Sequence, residues 1–403
     1  MRKSALGISA ILGVALLFEP WWRRWRAERR LKELLEEHVG AEGRVVITGA
    51  DRGIGKELAR LLRHSRVSLL LGCLSTSAAE AGSDAKTAIS NLELLDFDSV
   101  QRFAEEAHEF LREGKPGLRM LVNNAGYKER HEGDRTKYGT GRTWQINFLG
   151  PFLLTEFLAR RRERDEVQYP ASVINVASGH ESESNLNKVL LDSLEAGVEA
   201  TGHDYADSKR ALLLWTSVRS QSLALKGELY AHAVSPGKVD TRFGCDEVPD
   251  LLWFLSKPVR MCLFRTTAEG ALSIAAAGLR QHATSKFGQY FRGEELVEDL
   301  VVWRMPEKRL SVQLVRWAAR ASALEPRSGG RPLDIGGRSL SVSDLLVEQG
   351  EEDRWSSAER RWSSVSNLSR QVSEEILILP ARISGIRWLA IRLRERLLRW
   401  LPF

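Results

Sequence analysis

Cysteine is scarce in this chain of 403 residues: Cys73, Cys245 and Cys262 are the only three, widely spaced and without a CxxC pair. So odd a set excludes a disulfide framework and a cysteine-based zinc site, and it fits a reducing compartment. No metal site is expected. A dominant charge is lacking too. The net charge of +6 is small for this length and gives no reason to expect a nucleic-acid partner. There is no internal repeat. The apolar, charge-free run at residues 4–18 falls short of the roughly 20 residues that cross a bilayer comfortably.

What is present is an ordinary globular composition, 43% hydrophobic and 28% charged, with the basic residues unevenly spread. They crowd residues 21–32 and the last twenty or so positions, beside apolar sequence, which points to a membrane surface. The run 4–18 is followed by Trp21, Trp22, Arg23, Arg24, Trp25 and Arg26, and the tryptophans can extend its reach into the interface. It reads as a cleaved secretory signal or as an uncleaved anchor. The more basic downstream flank favours the anchor, with the remainder of the chain in the cytosol.

Residues 26–43 read as a charged helical linker. From 44 to 291, short apolar runs (VVIT, VSLLL, MLVNNA, SVINVAS, AHAVSP) alternate with helical stretches. That alternation predicts an α/β domain, a doubly wound parallel sheet covered on both faces. Residues 292–355, rich in Arg, Ser, Gly and Glu, read as a loop-rich insertion, and 356–380 as a helix. In 381–403, Ile383, Ile386, Leu389, Leu393, Leu397, Trp400 and Leu401 share one helical face, and six arginines stand against one glutamate. This segment reads as a basic amphipathic helix lying on a membrane, the alternative being a helix packed on the domain with its arginines in water.

The stretch Thr48-Gly49-Ala50-Asp51-Arg52-Gly53-Ile54-Gly55 follows a β-branched run and precedes an amphipathic helix. That is the setting a phosphate-cradling loop needs: a tight turn at Gly49, close backbone approach at Gly53, close helix packing at Gly55, and free N–H groups at the helix start. Alone it is a weak signal, since many strand–helix turns hold glycines. Its spacing, TGxxxGxG, resembles the short-chain dehydrogenase/reductase family, and further motifs arrive in that family's order. These are Asp96 in LELLDFDS, the NNAG of Asn123, Asn124, Ala125 and Gly126, Asn147 in QINFLG, Ser178 in INVASG, the YADSK of Tyr205 and Lys209, and AHAVSPGKVDT.

A hydride transfer at carbon must be matched by a proton transfer at oxygen. Tyrosine, with an ordinary pKa of about 10, is a poor base at neutral pH. Tyr205 and Lys209 stand at i and i+4, so on a helix they share a face and the ammonium is expected to lower the phenol's pKa. The resemblance implies the remaining roles. Tyr205 is the acid/base, Ser178 orients the substrate oxygen, and Lys209 also holds the nicotinamide ribose. Asn147 serves a proton relay through water to Lys209. Asp96 contacts adenine, Asn124, Ala125 and Gly126 lie beside the cofactor, and Pro236, Gly237, Val239 and Thr241 meet the nicotinamide amide and phosphates.

Within the family the chain is most similar to the retinol-dehydrogenase-like branch. The Ser178–Tyr205 separation of 27 is long, GPFLLT resembles that branch's GHFLLT with Pro151 in the histidine's place, and residues 266–291 resemble its TPEEGA…GKYF ending. The resemblance covers roughly residues 40–291, with a weaker echo at 358–374. It implies a Rossmann-type fold, a single catalytic domain with an N-terminal anchor (1–25) and a C-terminal helical extension.

NADP(H) is the expected cofactor, with NAD(H) the alternative. Arg52 is placed to meet a 2′-phosphate, and no acidic residue follows the second strand; Leu74, where the branch has arginine, weighs the other way. The expected partners are a small lipophilic substrate and a membrane surface, and a homo-oligomer is compatible with the sequence. The expected location is an endoplasmic-reticulum or other organelle membrane, with the catalytic domain facing the cytosol. Two other readings are a membrane-tethered nucleotide-binding scaffold without turnover, suggested by Pro151, Leu74 and the divergent 292–355, and a light-dependent pigment reductase on the same fold.

Overall fold

The computed structural model describes residues 2–39, 42–75, 86–114, 117–128, 135–165, 171–195, 204–225, 229–245, 248–284, 288–299 and 305–322. All fall in the first of two compact units, Met1–Leu346. The second, Val347–Phe403, lies outside the described residues, and with it the helices expected at 356–380 and 381–403.

Six strands run parallel: β1 (Gly43–Thr48), β2 (Val67–Cys73), β3 (Thr87–Asn91), β4 (Leu118–Asn123), β5 (Ala171–Val176) and β6 (Leu229–Ser235). β7 (Gln289–Arg292) joins β6 in parallel, and β8 (Glu295–Asp299) closes the edge antiparallel to β7. The sheet order is β3-β2-β1-β4-β5-β6-β7-β8. Runs such as Val45-Val46-Ile47 and Met120-Leu121-Val122 are continuously apolar because a parallel sheet with helices on both faces leaves neither side to water. The order reverses between β1 and β4, so the chain departs in opposite directions from their carboxyl ends and leaves a crevice there.

One face is covered by α2 (Gly53–Arg63), by the later helix Thr267–Thr284 and by α1 (Arg2–His38). Ala27, Leu31, Leu34 and Leu35 form a stripe at helical spacing on α1, and all are buried in that layer. Arg24 bonds Glu57 of α2 at 2.9 Å, and Arg60 of α2 reaches back to Glu28. Residues 26–38 are therefore docked on the domain along their length. Among the described residues no helix is long and apolar enough to cross a membrane.

The other face is covered by α3 (Phe97–Arg112), α4 (Gly150–Arg164), α5 (Lys188–Glu195) and α6 (Asp204–Leu225), around Phe103, Phe148, Phe152 and Trp215. A helical turn at Arg142–Trp144 and a wide π-helical turn at Gln145–Leu149 lead into α4. Beyond β6 come α7 (Asp250–Leu255), α8 (Lys257–Leu263) and α9, the helix Thr267–Thr284, and after β8 comes α10 (Met305–Ala321). The first part of the stretch read as a loop-rich insertion at 292–355 carries regular structure instead. β8 extends the sheet, and α10 buries Leu314, Val315 and Trp317, whose ring stacks on Phe148 at 6.2 Å. The stretch 323–355 lies outside the described residues.

The docking of α1 has a measurable consequence. Leu31→Ala removes a fully buried side chain and is expected to lower the unfolding free energy in urea by about 2–5 kcal/mol. Lys32→Ala, on the exposed side, should stay within about 0.5 kcal/mol of wild type. Equal, small effects at the two positions would show that this helix does not pack on the sheet.

Candidate active site

The crevice is built where β1 and β4 end. The Thr48 hydroxyl oxygen accepts the backbone N–H groups of Asn124 and Ala125, both at 3.0 Å. The Asn124 side-chain amide donates to the carbonyls of Thr48 (2.9 Å) and Gly49 (3.1 Å). Two glycines allow this closeness. Gly49 has φ +64°, and a Cβ there would lie 2.8 Å from the Ala125 Cα. A Cβ on Gly55 would lie 2.4 Å from both the Asn124 Nδ2 and the Gly49 carbonyl oxygen. The turn delivers the chain into α2, whose first N–H groups and dipole face the crevice with positive potential. Arg52 occupies the N-cap position of α2 and is exposed.

The loop after β6 forms the opposite wall. Arg265 bridges to Val239 in parallel, and its guanidinium donates to the Pro236 carbonyl at 2.9 Å. Val239 and Ile54 meet over Gly270 of α9, where an added Cβ would lie 3.0 and 3.4 Å from them. Thr241 stands over Gly53, 3.7 Å from where a Cβ would sit. Ile54, Gly53, Val239 and Thr241 thus join the glycine turn to the Pro236–Gly237 segment.

Tyr205 lies in the first turn of α6, with Lys209 one turn on and its Nζ 5.9 Å from the phenol ring centroid. Ser178, two residues beyond β5 in extended conformation, hydrogen-bonds the phenol. His180 meets the Tyr205 ring edge-on at 5.9 Å, and Phe243 lies 5.6 Å away. Asn147, in the π-helical turn, is fully buried. Its Oδ1 accepts the Tyr127 N–H at 2.8 Å, and its Nδ2 donates to the Tyr127 carbonyl (2.8 Å) and the Ser208 hydroxyl (3.1 Å). Gly126 sits between them: a Cβ there would be 3.7 Å from Asn147 Oδ1 and 3.8 Å from Lys209 Nζ. Asn147, Ser178, Tyr205, Lys209 and Gly126 are therefore gathered at one end of the crevice.

The electrostatics differ from the sequence expectation. Burial pushes the Tyr205 phenol above its ordinary value; the Ser178 hydrogen bond opposes this and the Glu181 carboxylate adds to it. Lys209 is pushed down to about 8 by burial, and its ammonium donates to the Val176 carbonyl at 2.7 Å. The shared helix face is present, yet burial is the largest influence on the phenol and it acts upward.

Asp96 stands apart from this group, beyond β3. Its Oδ1 accepts from Lys137 Nζ (2.7 Å) and from the Tyr138 hydroxyl (3.2 Å), and the lysine holds the carboxyl below its ordinary value. Leu74, just past β2, is exposed. Sequence reasoning missed Tyr127, His180, Phe243 and Ser208. Ser208 lies inside the YADSK motif and Tyr127 directly after NNAG, but their partners are set by long-range packing that no spacing reveals.

A family model described as short chain dehydrogenase matches residues 44–250. Retinol dehydrogenase 12 of Homo sapiens is 33% identical over 263 residues, covering 61% of this chain and 76% of that protein. The Mus musculus protein of the same name is 32% identical with the same coverage. Dehydrogenase/reductase SDR family member 13 of Bos taurus is 29% identical over 251 residues, 61% of this chain and 64% of that one. A solved structure of an uncharacterized protein from Mycobacterium paratuberculosis shares the fold, with a TM-score of 0.50, 23% identity, and coverage of 72% of this chain and 96% of that one.

Lys209 titrates near 8 in the folded chain against an ordinary 10.5. Between those values the unfolded state binds more protons, so this group makes the fold more stable as pH rises. Urea unfolding of the wild type and of Lys209→Met, repeated from roughly pH 7 to 9.5, reads the effect. The wild type should gain on the variant as pH climbs; a constant gap overturns the assignment.

Proposed function

The chain belongs to the short chain dehydrogenase family, and from that premise we propose that it is an NADP-dependent enzyme moving a hydride between nicotinamide and a lipophilic alcohol, aldehyde or ketone at a membrane. It is an alcohol-acting oxidoreductase, similar to the retinol-dehydrogenase-like branch. The finer reading rests on one observation, the gathering of Ser178, Tyr205 and Lys209 beside Gly126 and Asn147 at the end of a glycine-lined crevice.

Tyr205 gives its phenolic proton to the substrate oxygen in reduction and takes one back in oxidation. Burial keeps the phenol protonated, which is the form reduction requires. Ser178, hydrogen-bonded to the same phenol, holds the substrate oxygen against it. Lys209 provides a buried donor near the ring and would hold the ribose of a bound cofactor. The Asn147 amide is already engaged by Tyr127 and Ser208, so its contribution is to fix the Gly126–Tyr127 segment next to Lys209.

A bound nicotinamide nucleotide supplies or accepts the hydride. The residues present fit such a group. Thr48, Gly49, Gly53, Ile54 and Gly55 form a turn without side-chain obstruction at the α2 N-terminus, suited to a pyrophosphate. Asn124, Ala125 and Gly126 would lie beside the cofactor, Asp96 would contact the adenine, and Pro236, Gly237, Val239 and Thr241 would meet the nicotinamide amide and phosphates. Arg52 and the absence of an acidic residue closing β2 favour the 2′-phosphate of NADP.

Retinoids, steroids and lipid carbonyls are the substrate classes this reading favours, since similar proteins bear the name retinol dehydrogenase. The apolar run 4–18 and the basic amphipathic 381–403 support a membrane location with the catalytic domain on the cytosolic side.

Two variants test the reading. Tyr205→Phe should lower kcat by about 10²–10⁴-fold while leaving NADPH affinity, followed by fluorescence, nearly unchanged. Turnover at the wild-type rate would sink the mechanism. Arg52→Ala should weaken NADPH by about 10- to 100-fold, the worth of a charge-assisted hydrogen bond, and leave NADH alone. An equal loss for both nucleotides would remove Arg52 from the 2′-phosphate.

A further inference from the structure

The helices α7 and α8 carry a row of apolar side chains on their outer surface. Leu251, Leu252, Phe254, Leu255 and Val259 are each more than half exposed. Of the charged groups on the same pair Arg260 turns inward, while Asp250 and Lys257 stay exposed. Arg260 bonds Asp240 at 2.7 Å and lies 3.5 Å over the Trp253 ring, clasping α8 to α7 and to the loop after β6. Arg242 pairs with Asp250 at the start of α7. An exposed apolar face of this size on a clasped, regular element marks a surface that is covered in use.

Position identifies what covers it. Arg23 of α1 donates to the carbonyls of Met261 and Phe264, so α8 is bonded to the helix that begins with the charge-free run 4–18. Trp21, Trp22 and Trp25 on that helix are exposed, and Trp22 stacks on Trp25 at 4.7 Å. Exposed tryptophans beside Arg26 and Lys257 are the composition of a surface that sits at lipid headgroup depth. The face also adjoins the site. Phe243, one residue from Arg242 and its Asp250 partner, lies against the Tyr205 ring.

We propose that α7 and α8 form a membrane-docking face, seated on a phospholipid bilayer, through which a lipophilic substrate passes from the lipid to Tyr205. This rests on the lipophilic-substrate reading above. It adds to the terminal segments a third contact, one that fixes which side of the domain faces the bilayer.

Cys262, exposed on α8, offers the probe, since Cys73 is buried and Cys245 can be replaced by serine. The full chain carrying Cys245→Ser is labelled at Cys262 with a polarity-sensitive fluorophore and mixed with vesicles of phosphatidylcholine and phosphatidylserine. The expected result is a blue shift and a several-fold rise in emission on adding vesicles. A label at Val189→Cys, with Cys245 and Cys262 both replaced by serine, should not change, because Val189 is exposed on α5. In parallel, the double variant Leu252→Glu, Phe254→Glu should raise KM several-fold for a long-chain aldehyde carried in vesicles and leave KM for a short soluble aldehyde unchanged.

No shift at Cys262 overturns the proposal. So does emission already blue before vesicles are added: if dilution reverses it, a second copy covers the face, and if dilution does not, the chain's own residues do. The fluorescence does not depend on turnover. A vesicle-dependent shift in a chain that reduces no carbonyl leaves the docking face standing and removes the activity, whereas turnover without a shift does the reverse.

Discussion

The constraint on which the site depends is the joining of two strand ends that the topology drives apart. β1 and β4 are neighbours, yet the chain leaves them in opposite directions, and their carboxyl ends would open without a tie. The Thr48 hydroxyl and the Asn124 amide supply it, side chain to backbone in both directions. Gly49 and Gly55 are needed because a methyl group at either would strike the partner loop. With the ends joined, the start of α2, the NNAG loop and the loop after β6 face one another across a single crevice.

A second set of buried polar groups extends this order toward the catalytic end. Asn123 bonds Asn175 at 2.8 Å, and Asn175 bonds Thr216 of α6 at 2.9 Å, so β4, β5 and the helix bearing Tyr205 share one network. Asn147 clamps the backbone at Tyr127 and touches Ser208, next to Lys209. Buried networks of this kind sit in a low-dielectric interior that leaves little water to stabilise charge. The same dryness raises the Tyr205 phenol and lowers Lys209. Both groups are thereby biased toward their neutral forms, which is the reverse of what helix spacing alone suggests.

Much of this was legible in the sequence where the cause is local. Apolar-rich runs such as VSLLL mark strands covered on both faces, and TGxxxGxG and YxxxK each sit within one turn or one helix. What was hidden depends on distant partners. The stripe Ala27, Leu31 and Leu34 is diluted by the charges around it, and its burial follows only once α2 and α9 are in place. Trp317 lies in an arginine-rich stretch that reads as loop, but its ring completes the layer around Phe148. The sign of the shifts at Tyr205 and Lys209 could not be read from spacing, because depth of burial is a property of the whole layer.

The continuity of α1 ties the two halves of the molecule's behaviour together. A flexible linker in its place would leave the N-terminal turns free to rotate against the domain. Here 37 residues form one helix, whose later turns are buried against α2 and α9 and whose Arg23 grips α8. Placed at about 100° per residue, Ala27, Leu31 and Leu34 face the domain while Trp21, Trp22 and Trp25 face away from it. A helix held on one side by the domain and bearing tryptophans on the other cannot turn without breaking buried contacts. The direction in which its apolar run leaves the domain is therefore fixed relative to the crevice by the packing of a helix far from Tyr205 in sequence.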